Sequence, residues 1–160
     1  MQYQQPPGMS HPTSIKGVLL VNGRVLLVKN PRSEWELPGG RSDGEENHAE
    51  TLLREFAEEV SLEVAIADPI DSYLFEVIPG RHVFIVTYGC TLAGEFGPEL
   101  SDEHTAHCLW PVERLSELNL PLGYRRSVEK WAAALESCAK DKNDRSVNSA
   151  IASCSEPPGN

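Results

Sequence analysis

The segment from Asn47 to Val60 constrains the chain more than any other, because it has the periodicity of an amphipathic helix. At about 100° per residue, its apolar side chains share one sector, which is expected to face a core. Asn47 and Glu50 have the spacing of a capping box at the helix start. The apolar sector consists of Ala49, Leu52, Leu53, Phe56, Ala57 and Val60, and the opposite side carries Glu55, Glu58 and Glu59.

These three glutamates allow two interpretations. Acidic helix faces are common on soluble proteins, so a solvated surface would explain them without any chemistry. Carboxylates at i, i+3 and i+4 repel one another by about a few tenths of a kcal/mol per pair, however, and a hard divalent cation such as Mg²⁺ would remove that repulsion. Arg54, four residues before Glu58, can brace the cluster. The helix alone leaves both interpretations open.

The residues around this helix predict a mixed α/β domain. Asn22-Gly23 separates two short apolar runs and indicates a hairpin, and a loop over 30–44 with several glycines and prolines leads into the helix. Strands on both sides of one helix, with a second helix at the end, are typical of an α/β or α+β fold. Further strands are predicted at 62–66, 71–77, 82–92 and 107–111, then one helical turn at 111–118 and a final helix at about 122–139.

Composition along the chain predicts one folded domain between two unstructured ends. Residues 1–13 are rich in Gln and Pro and are expected to be flexible. Residues 139–160 are rich in polar side chains, with too few apolar ones to pack, and are expected to be a disordered tail. The folded domain is therefore predicted over 14–138.

The charge excludes several function classes. The chain has 24 acidic and 14 basic residues, a formal net charge of −10, so nucleic acid and anionic membranes are not expected partners. An anionic substrate would need a bound cation. No apolar run approaches the roughly 20 residues of a membrane helix, and the first residues do not form a signal peptide. Four scattered cysteines without a CxxC pair predict reduced thiols and a cytoplasmic protein.

The loop before the helix extends the pattern into a motif. Trp35-Glu36-Leu37-Pro38-Gly39-Gly40 leads into Gly40-x5-Glu46-x7-Arg54-Glu55-Phe56-x-Glu58-Glu59-x-Ser61-Leu62. This motif resembles the signature of the Nudix hydrolases, Gly-x5-Glu-x7-Arg-Glu-U-x-Glu-Glu-x-Gly-U, where U is a bulky aliphatic or aromatic residue. Ser61 stands where the signature has its last glycine. The resemblance implies the family's α/β/α sandwich with a mixed sheet over 14–138.

The resemblance also implies a role for each residue of the motif. Mg²⁺, with Mn²⁺ as a possible substitute, would be held by carboxylates of the helix and by the backbone carbonyl of Gly39. Glu55 would be a further ligand or the group that polarises the attacking water. Arg54 and Glu46 would orient the helix against the loop, where Gly40 is structural. The implied metal ligands of the motif are Gly39, Glu55, Glu58 and Glu59.

Family members often carry one more carboxylate in a loop before the strand that ends in Trp. The corresponding loop here spans 95–105, and Glu103 is the first choice for an extra metal ligand or general base. The neighbouring His104 is the other candidate base, and a solvated surface position remains open for each. Candidates for contacting the substrate, which could equally be ordinary surface or loop-anchoring residues, are Arg41, Lys29, Arg81 and Trp35.

The resemblance predicts Mg²⁺-dependent hydrolysis of a nucleoside diphosphate linked to a moiety X, giving a nucleoside monophosphate and phospho-X. The identity of X stays open between two branches of the family. The branch that hydrolyses oxidised guanine nucleotides reads the base with an Asn near the start of the last helix, and this chain has no Asn at 121–124. The ADP-ribose branch carries a proline downstream of the motif, and Pro79 alone suggests it here. The main alternative is a nucleotide-sensing module that binds without cutting. An isoprenoid diphosphate isomerase would need a catalytic cysteine, for which Cys90 is the candidate. Many relatives form homodimers.

Overall fold

The computed structural model describes the backbone of residues 11–152 and the side chains of residues 11–143. Within that range the chain alternates strands with two α-helices and one 3-10 helix at Val112–Glu117. The strands are β1 Thr13–Val21, β2 Arg24–Lys29, β3 Trp35–Glu36, β4 Gly39–Arg41, β5 Val64–Ile78, β6 Arg81–Leu92 and β7 Ala106–Pro111, and the helices are α1 His48–Val60 and α2 Leu122–Ala152.

The described strands form one mixed sheet with the order β3-β2-β1-β6-β5, in which β4 pairs with β1 and β7 with β2. β1 is parallel to β6 and antiparallel to β2 and β4. Successive side chains of a strand point to opposite faces of a sheet. Accordingly, Ile15 and Leu19 pack against Phe56 of α1, whereas Val18 packs in a second cluster with Val128 of α2. The predicted α/β/α sandwich with a mixed sheet is confirmed.

Helix α1 begins and ends with recognisable caps. The side chain of Asn47 accepts a hydrogen bond from the Glu50 amide at 2.9 Å, and the Glu50 carboxylate accepts one from the Asn47 amide at 2.9 Å. This is the predicted capping box. At the other end Ser61 adopts the left-handed conformation (φ 55°, ψ 38°), the conformation for which the family signature has glycine.

The buried side of α1 differs from the predicted sector. Leu53 is 46% exposed and Ala57 is exposed, although both were predicted to face the core. Glu55 and Glu59 are buried instead, at 8% and 4% exposure. The helix packs against the glycine backbone of β4, which leaves room for carboxylates, and its buried face is therefore rotated toward the acidic residues.

Three other segments differ from the prediction. The loop predicted over 30–44 contains β3 and β4, because these short stretches pair with β2 and β1, which sequence periodicity does not reveal. The strands predicted at 62–66 and 71–77 form one bulged strand that continues through Pro69. Pro69 is tolerated there because β5 is paired only with β6 among the described strands.

The C-terminal segment is helical where a disordered tail was predicted. Helix α2 continues past 139 to Ala152, because 139–152 contains neither proline nor glycine to end it. Its side chains at 139–143 are exposed. Of the N-terminal segment predicted as flexible, residues 1–10 lie outside the described range, as do residues 153–160. No helix within the described range is long and apolar enough to span a membrane.

Candidate functional site

The site is built on the Gly39–Gly40 loop, which is held against β1. Gly39 pairs with Lys16 and Gly40 with Ile15 in the antiparallel ladder between β4 and β1. Gly39 has φ +136°, and a Cβ there would collide with the Ile15 carbonyl oxygen, so no other residue fits without distortion. At Gly40 a Cβ would come within 2.5 Å of Oε1 of Glu55. Gly39 thus allows β4 to lie close to β1, and Gly40 allows the Glu55 carboxylate to approach the loop.

The three helix glutamates do not occupy equivalent positions. Glu55 and Glu59 are buried beside the loop, and the Gly39 amide donates a hydrogen bond to Oε2 of Glu59 at 3.2 Å. The Glu58 side chain is 61% exposed and accepts a hydrogen bond from Arg54 at 3.2 Å. The structure therefore brings two of the three glutamates together at the loop and leaves the third at its solvent edge.

Burial next to Glu55 shifts the pKa of Glu59. Loss of hydration is the largest cause, and it raises the pKa of Glu59 to about 8; the positive charge of Lys16 acts in the opposite direction. The hydrogen bond and negative charge of Glu55 raise the pKa of Glu59 further. Two carboxylates that cannot both ionise cheaply form a pair that a cation would stabilise.

Arg54 and Glu46 form the bracket that the motif predicts. Nε of Arg54 donates to Oε1 of Glu46 at 2.7 Å, and Nη2 donates to Oε2 at 3.0 Å. This two-point hydrogen bond lowers the pKa of Glu46 to about 2. Arg54 also donates to Glu55 at 3.0 Å and to the Arg41 carbonyl at 3.2 Å. One guanidinium therefore ties the helix, the loop after Gly40 and the glutamates together.

Lys16 is a member of the site that sequence reasoning missed. Its side chain is 8% exposed, its Nζ donates to the Gly39 carbonyl at 3.1 Å, and it lies 3.9 Å from the Glu36 carboxylate. A lysine in the middle of an apolar strand was the available signal, since charged side chains are rarely buried without a partner. Glu36 was passed over in the same way, as part of the loop that precedes the glycines.

The donor chemistry fits a hard divalent cation, although the full ligand set is not assembled. Glu55, Glu59 and the Gly39 carbonyl offer the oxygen atoms that Mg²⁺ prefers, and the raised pKa of Glu59 reflects a carboxyl without sufficient positive charge around it. Within residues 11–143, no three His, Cys, Asp or Glu side chains are grouped so that they could hold a metal ion. Glu58 is hydrogen-bonded to Arg54 through Oε2 and lies at the solvent edge of the pair.

The loop that was expected to supply a further carboxylate lies at the end of α1. The Glu99 amide donates to the Val60 carbonyl at 2.9 Å, and the Ser101 amide donates to the Glu59 carbonyl at 3.0 Å. Glu103 is exposed, and its amide donates to the Ser101 hydroxyl at 3.4 Å. His104 is buried at 9% exposure, and its Nε2 lies 3.2 Å from Oε1 of Glu36. A surface position is therefore excluded for His104.

A cavity of about 460 Å³ opens beside the Gly39–Gly40 loop. It contains aromatic surface from Trp35, Phe75 and Tyr124, which suits a flat apolar group. Its polar lining includes Glu36 and Asn119. Asn119 precedes the segment 121–124 in which the family resemblance predicts a base-reading amide, so its position along the chain did not indicate it.

Of the four residues predicted to contact the substrate, two line this cavity and two do not. Arg41 and Trp35 line it. Lys29 instead lies over the Trp35 ring, with Nζ 5.3 Å from the ring centroid, and Arg81 is exposed at the β5–β6 turn; neither lines the cavity as the described residues define it. Cys90 is buried, and burial raises the pKa of its thiol to about 12, which argues against a catalytic thiolate.

The comparisons with known proteins agree with the fold. The family model of the NUDIX domain matches residues 11–131. No curated protein matches the chain significantly by sequence. Among solved structures, a C. elegans Ap4A hydrolase superposes with a TM-score of 0.69 at 20% identity, over 79% of this chain and 98% of that one. A MutT NUDIX hydrolase from Burkholderia pseudomallei superposes with a TM-score of 0.66 at 24% identity, over 76% of this chain and 98% of that one. An ADP-ribose pyrophosphatase from Streptococcus suis superposes with a TM-score of 0.60 at 22% identity, over 81% of this chain and 92% of that one.

The chain belongs to the NUDIX family, because the family model covers most of it and the solved structures share its sandwich. The expectation of a hydrolase that acts on acid anhydrides agrees with the family to which the chain belongs. The matched range, 11–131, contains β1 to β7, the whole of α1 and the first part of α2, and the predicted domain, 14–138, contains the same elements except the first residue of β1.

Proposed function

We propose that the protein hydrolyses a phosphoanhydride bond in a nucleoside diphosphate linked to a second moiety, in a reaction that requires Mg²⁺. The observation that carries the proposal is the buried pair Glu55 and Glu59, which faces the Gly39–Gly40 loop next to the aromatic cavity. The products would be a nucleoside monophosphate and a phosphorylated second moiety.

The residues of the site divide the work of this reaction. Glu55, Glu59 and the Gly39 carbonyl would hold the metal, with Glu58 joining them from the solvent edge. When bound, Mg²⁺ neutralises charge on phosphate oxygens and activates water. Glu55 is a candidate to orient the attacking water, and Arg54 fixes that carboxylate through its 3.0 Å hydrogen bond. Exposed Glu103 remains the candidate for an additional carboxylate supplied by the loop.

The cavity supports a nucleoside as one part of the substrate. Trp35 and Tyr124 offer aromatic surface for a base, and Asn119 and Glu36 offer the hydrogen-bonding groups that distinguish bases. Arg41 lines the cavity and follows Gly40 directly, which supports it as a contact for phosphate. The solved relatives act on Ap4A and ADP-ribose according to their names, and both substrates contain an adenosine diphosphate unit.

Glu58→Gln and Glu59→Gln test the proposal. We expect each to lower turnover by at least about 100-fold, because each removes an anionic oxygen needed to hold the metal. Release of monophosphate is measured with Mg²⁺, and again with EDTA, over dGTP, 8-oxo-dGTP, ADP-ribose, NADH, dinucleoside polyphosphates and nucleotide sugars. The control is Glu129→Gln, an exposed position on α2. Full activity of Glu58→Gln would refute the assigned metal site.

The same panel separates the enzyme from a nucleotide sensor. A sensor would bind members of the panel in a metal-dependent way without releasing monophosphate. Retention of all four motif glutamates, with Glu46 and Arg54 in their bracket, favours turnover.

A cytoplasmic location and a homodimer are also proposed. The described cysteines, Cys90, Cys108 and Cys138, are all free thiols, which suits a reducing compartment. Oligomeric state is measured by light scattering of the purified chain.

A further inference from the structure

Lys16 is the only buried lysine or arginine among residues 11–143. It lies in the centre of β1, opposite Gly39 in the ladder with β4, and its side chain also lines the cavity. It therefore occupies the boundary between the carboxylate pair and the space proposed for the nucleoside.

The hydrogen bonds of this ammonium group are incomplete. An ammonium has three N–H donors, and burial is costly unless they find acceptors. Among the side chains that the structure describes, Nζ of Lys16 makes one hydrogen bond, to the Gly39 carbonyl at 3.1 Å. Oε2 of Glu36, at 3.9 Å, is an ion-pair partner beyond hydrogen-bond distance. A buried cation with donors to spare at the wall of a cavity is suited to receive an anion.

The position of the Gly39 carbonyl indicates which anion Lys16 would bind. The Gly39 carbonyl accepts from Lys16 and is also a ligand in the proposed metal site, so a phosphate held there would lie beside the ammonium. The sequence candidates are placed less well: Lys29 lies against Trp35, and Arg81 is exposed in a turn. We propose, resting on the proposed function, that Lys16 donates a charge-assisted hydrogen bond to a phosphate oxygen of the substrate at the mouth of the cavity.

A purely structural role makes the opposite prediction. In that case Lys16 would serve only to hold the Gly39 carbonyl in place and to balance Glu36 and Glu59. Its replacement would then weaken metal binding and leave the affinity of the metal-loaded protein for phosphates unchanged. The two roles are separated by measuring metal and anion binding independently.

The test compares Lys16→Gln with the unchanged chain, using Lys140→Met on the exposed part of α2 as the control for loss of one charge. Glutamine keeps a donor for the Gly39 carbonyl and removes the charge. Calorimetry measures the affinity for Mn²⁺ alone and then, at saturating Mg²⁺, for imidodiphosphate, a diphosphate that resists hydrolysis. We expect Lys16→Gln to weaken imidodiphosphate binding at least about tenfold, while Mn²⁺ binds as before or more tightly because a nearby cation is gone.

Unchanged imidodiphosphate affinity would overturn the proposal, whether Mn²⁺ binding weakens or not. If Lys16→Gln does not fold, the side-chain ¹⁵Nζ signal of Lys16 in the unchanged chain decides: it must shift when imidodiphosphate is added to the Mg²⁺-loaded protein, and the absence of a shift would refute the contact. Failure of the unchanged chain to bind Mn²⁺ would instead refute the proposed function. The two failures are therefore distinguishable.

Discussion

At the scale of single residues, the site places negative charge where hydration is poor. Glu55 and Glu59 are buried next to each other, and Lys16 and Arg54 supply the nearby positive charge. Burial of a carboxylate without full compensation favours its protonated form. In the metal-free protein the Glu59 carboxyl therefore tends to keep its proton, and a divalent cation would have to displace that proton.

This arrangement predicts how stability depends on pH without metal. The pKa of Glu59 in the folded protein is about 8, above the ordinary value of 4.5. A raised carboxyl pKa contributes stability that is fully present below the unfolded pKa and is lost as pH rises through the folded one. In EDTA, we therefore expect the unfolding temperature to fall between about pH 4.5 and about pH 8, as measured by circular dichroism.

The control for this pH dependence is the difference between variants. Glu59→Gln cannot ionise, so its unfolding temperature should decline less over the same window, whereas Glu129→Gln, an exposed position on α2, should follow the unchanged chain. Mg²⁺ should stabilise the unchanged chain more at the alkaline end of the window, because it binds the ionised carboxylate. Parallel pH profiles for Glu59→Gln and the unchanged chain would contradict the raised pKa.

Gly40→Ala should separate activity from folding. The added Cβ would come within 2.5 Å of Oε1 of Glu55, the end of a flexible side chain that can move away. We expect a folded protein in which that carboxylate is displaced, with turnover lower by about 100-fold. Gly97→Ala is the matched control, since a Cβ there meets no atom within 4 Å. Normal turnover in Gly40→Ala would show that the position of Glu55 is unimportant.

At the scale of elements, the end of α1 is a local defect that can be corrected. Ser61 holds the left-handed conformation, which costs a residue with a Cβ more than it costs glycine. We expect Ser61→Gly to stabilise the protein by about 1 kcal/mol and to raise the unfolding temperature by about 2–4 °C. Ser61→Ala retains the Cβ and should give no such gain. Equal melting temperatures for Ser61→Gly and Ser61→Ala would contradict this account.

Elements with local signals were predictable from sequence. The hairpin turn has positive φ at both Asn22 and Gly23, as its Asn-Gly sequence indicates, and the capping box of α1 was predicted from two residues. Elements that depend on distant pairing were not: β3 and β4 form only because β2 and β1 lie beside them. Periodicity also misplaced Leu53, because a carboxylate can be buried where the facing backbone is glycine.

The residues of the site also divide into those with a local sequence signal and those that depend on distant pairing. The motif brought Glu55, Glu59, Arg54 and Glu46 to attention because their spacing along the chain is fixed. Lys16 depends on the pairing of β1 with β4, and the sequence records that contact only as a charge in an apolar strand. Long-range contacts of this kind require the folded sheet.

At the scale of the molecule, the sandwich is complete well before the end of α2. The last part of α2 seen in the core clusters is Trp131, and side chains at 139–143 are exposed. We expect a chain that ends at Lys140 to melt within about 2 °C of the full chain and to keep its activity. A chain that ends before Trp131 should lose cooperative unfolding. Marked destabilisation of the longer truncation would show that the distal helix contributes to packing.

The bulged course of β5 has a consequence for behaviour at high concentration. Among the described strands β5 pairs only with β6, so its other side offers backbone groups on which another chain could add a strand, and Leu74 and Ile78 on it are exposed. Pro69 removes one donor, and the register shifts around it interrupt the regular spacing that such templating requires. The irregularity that hides this strand from periodicity thus also makes β5 a poor template for the addition of a strand from another chain.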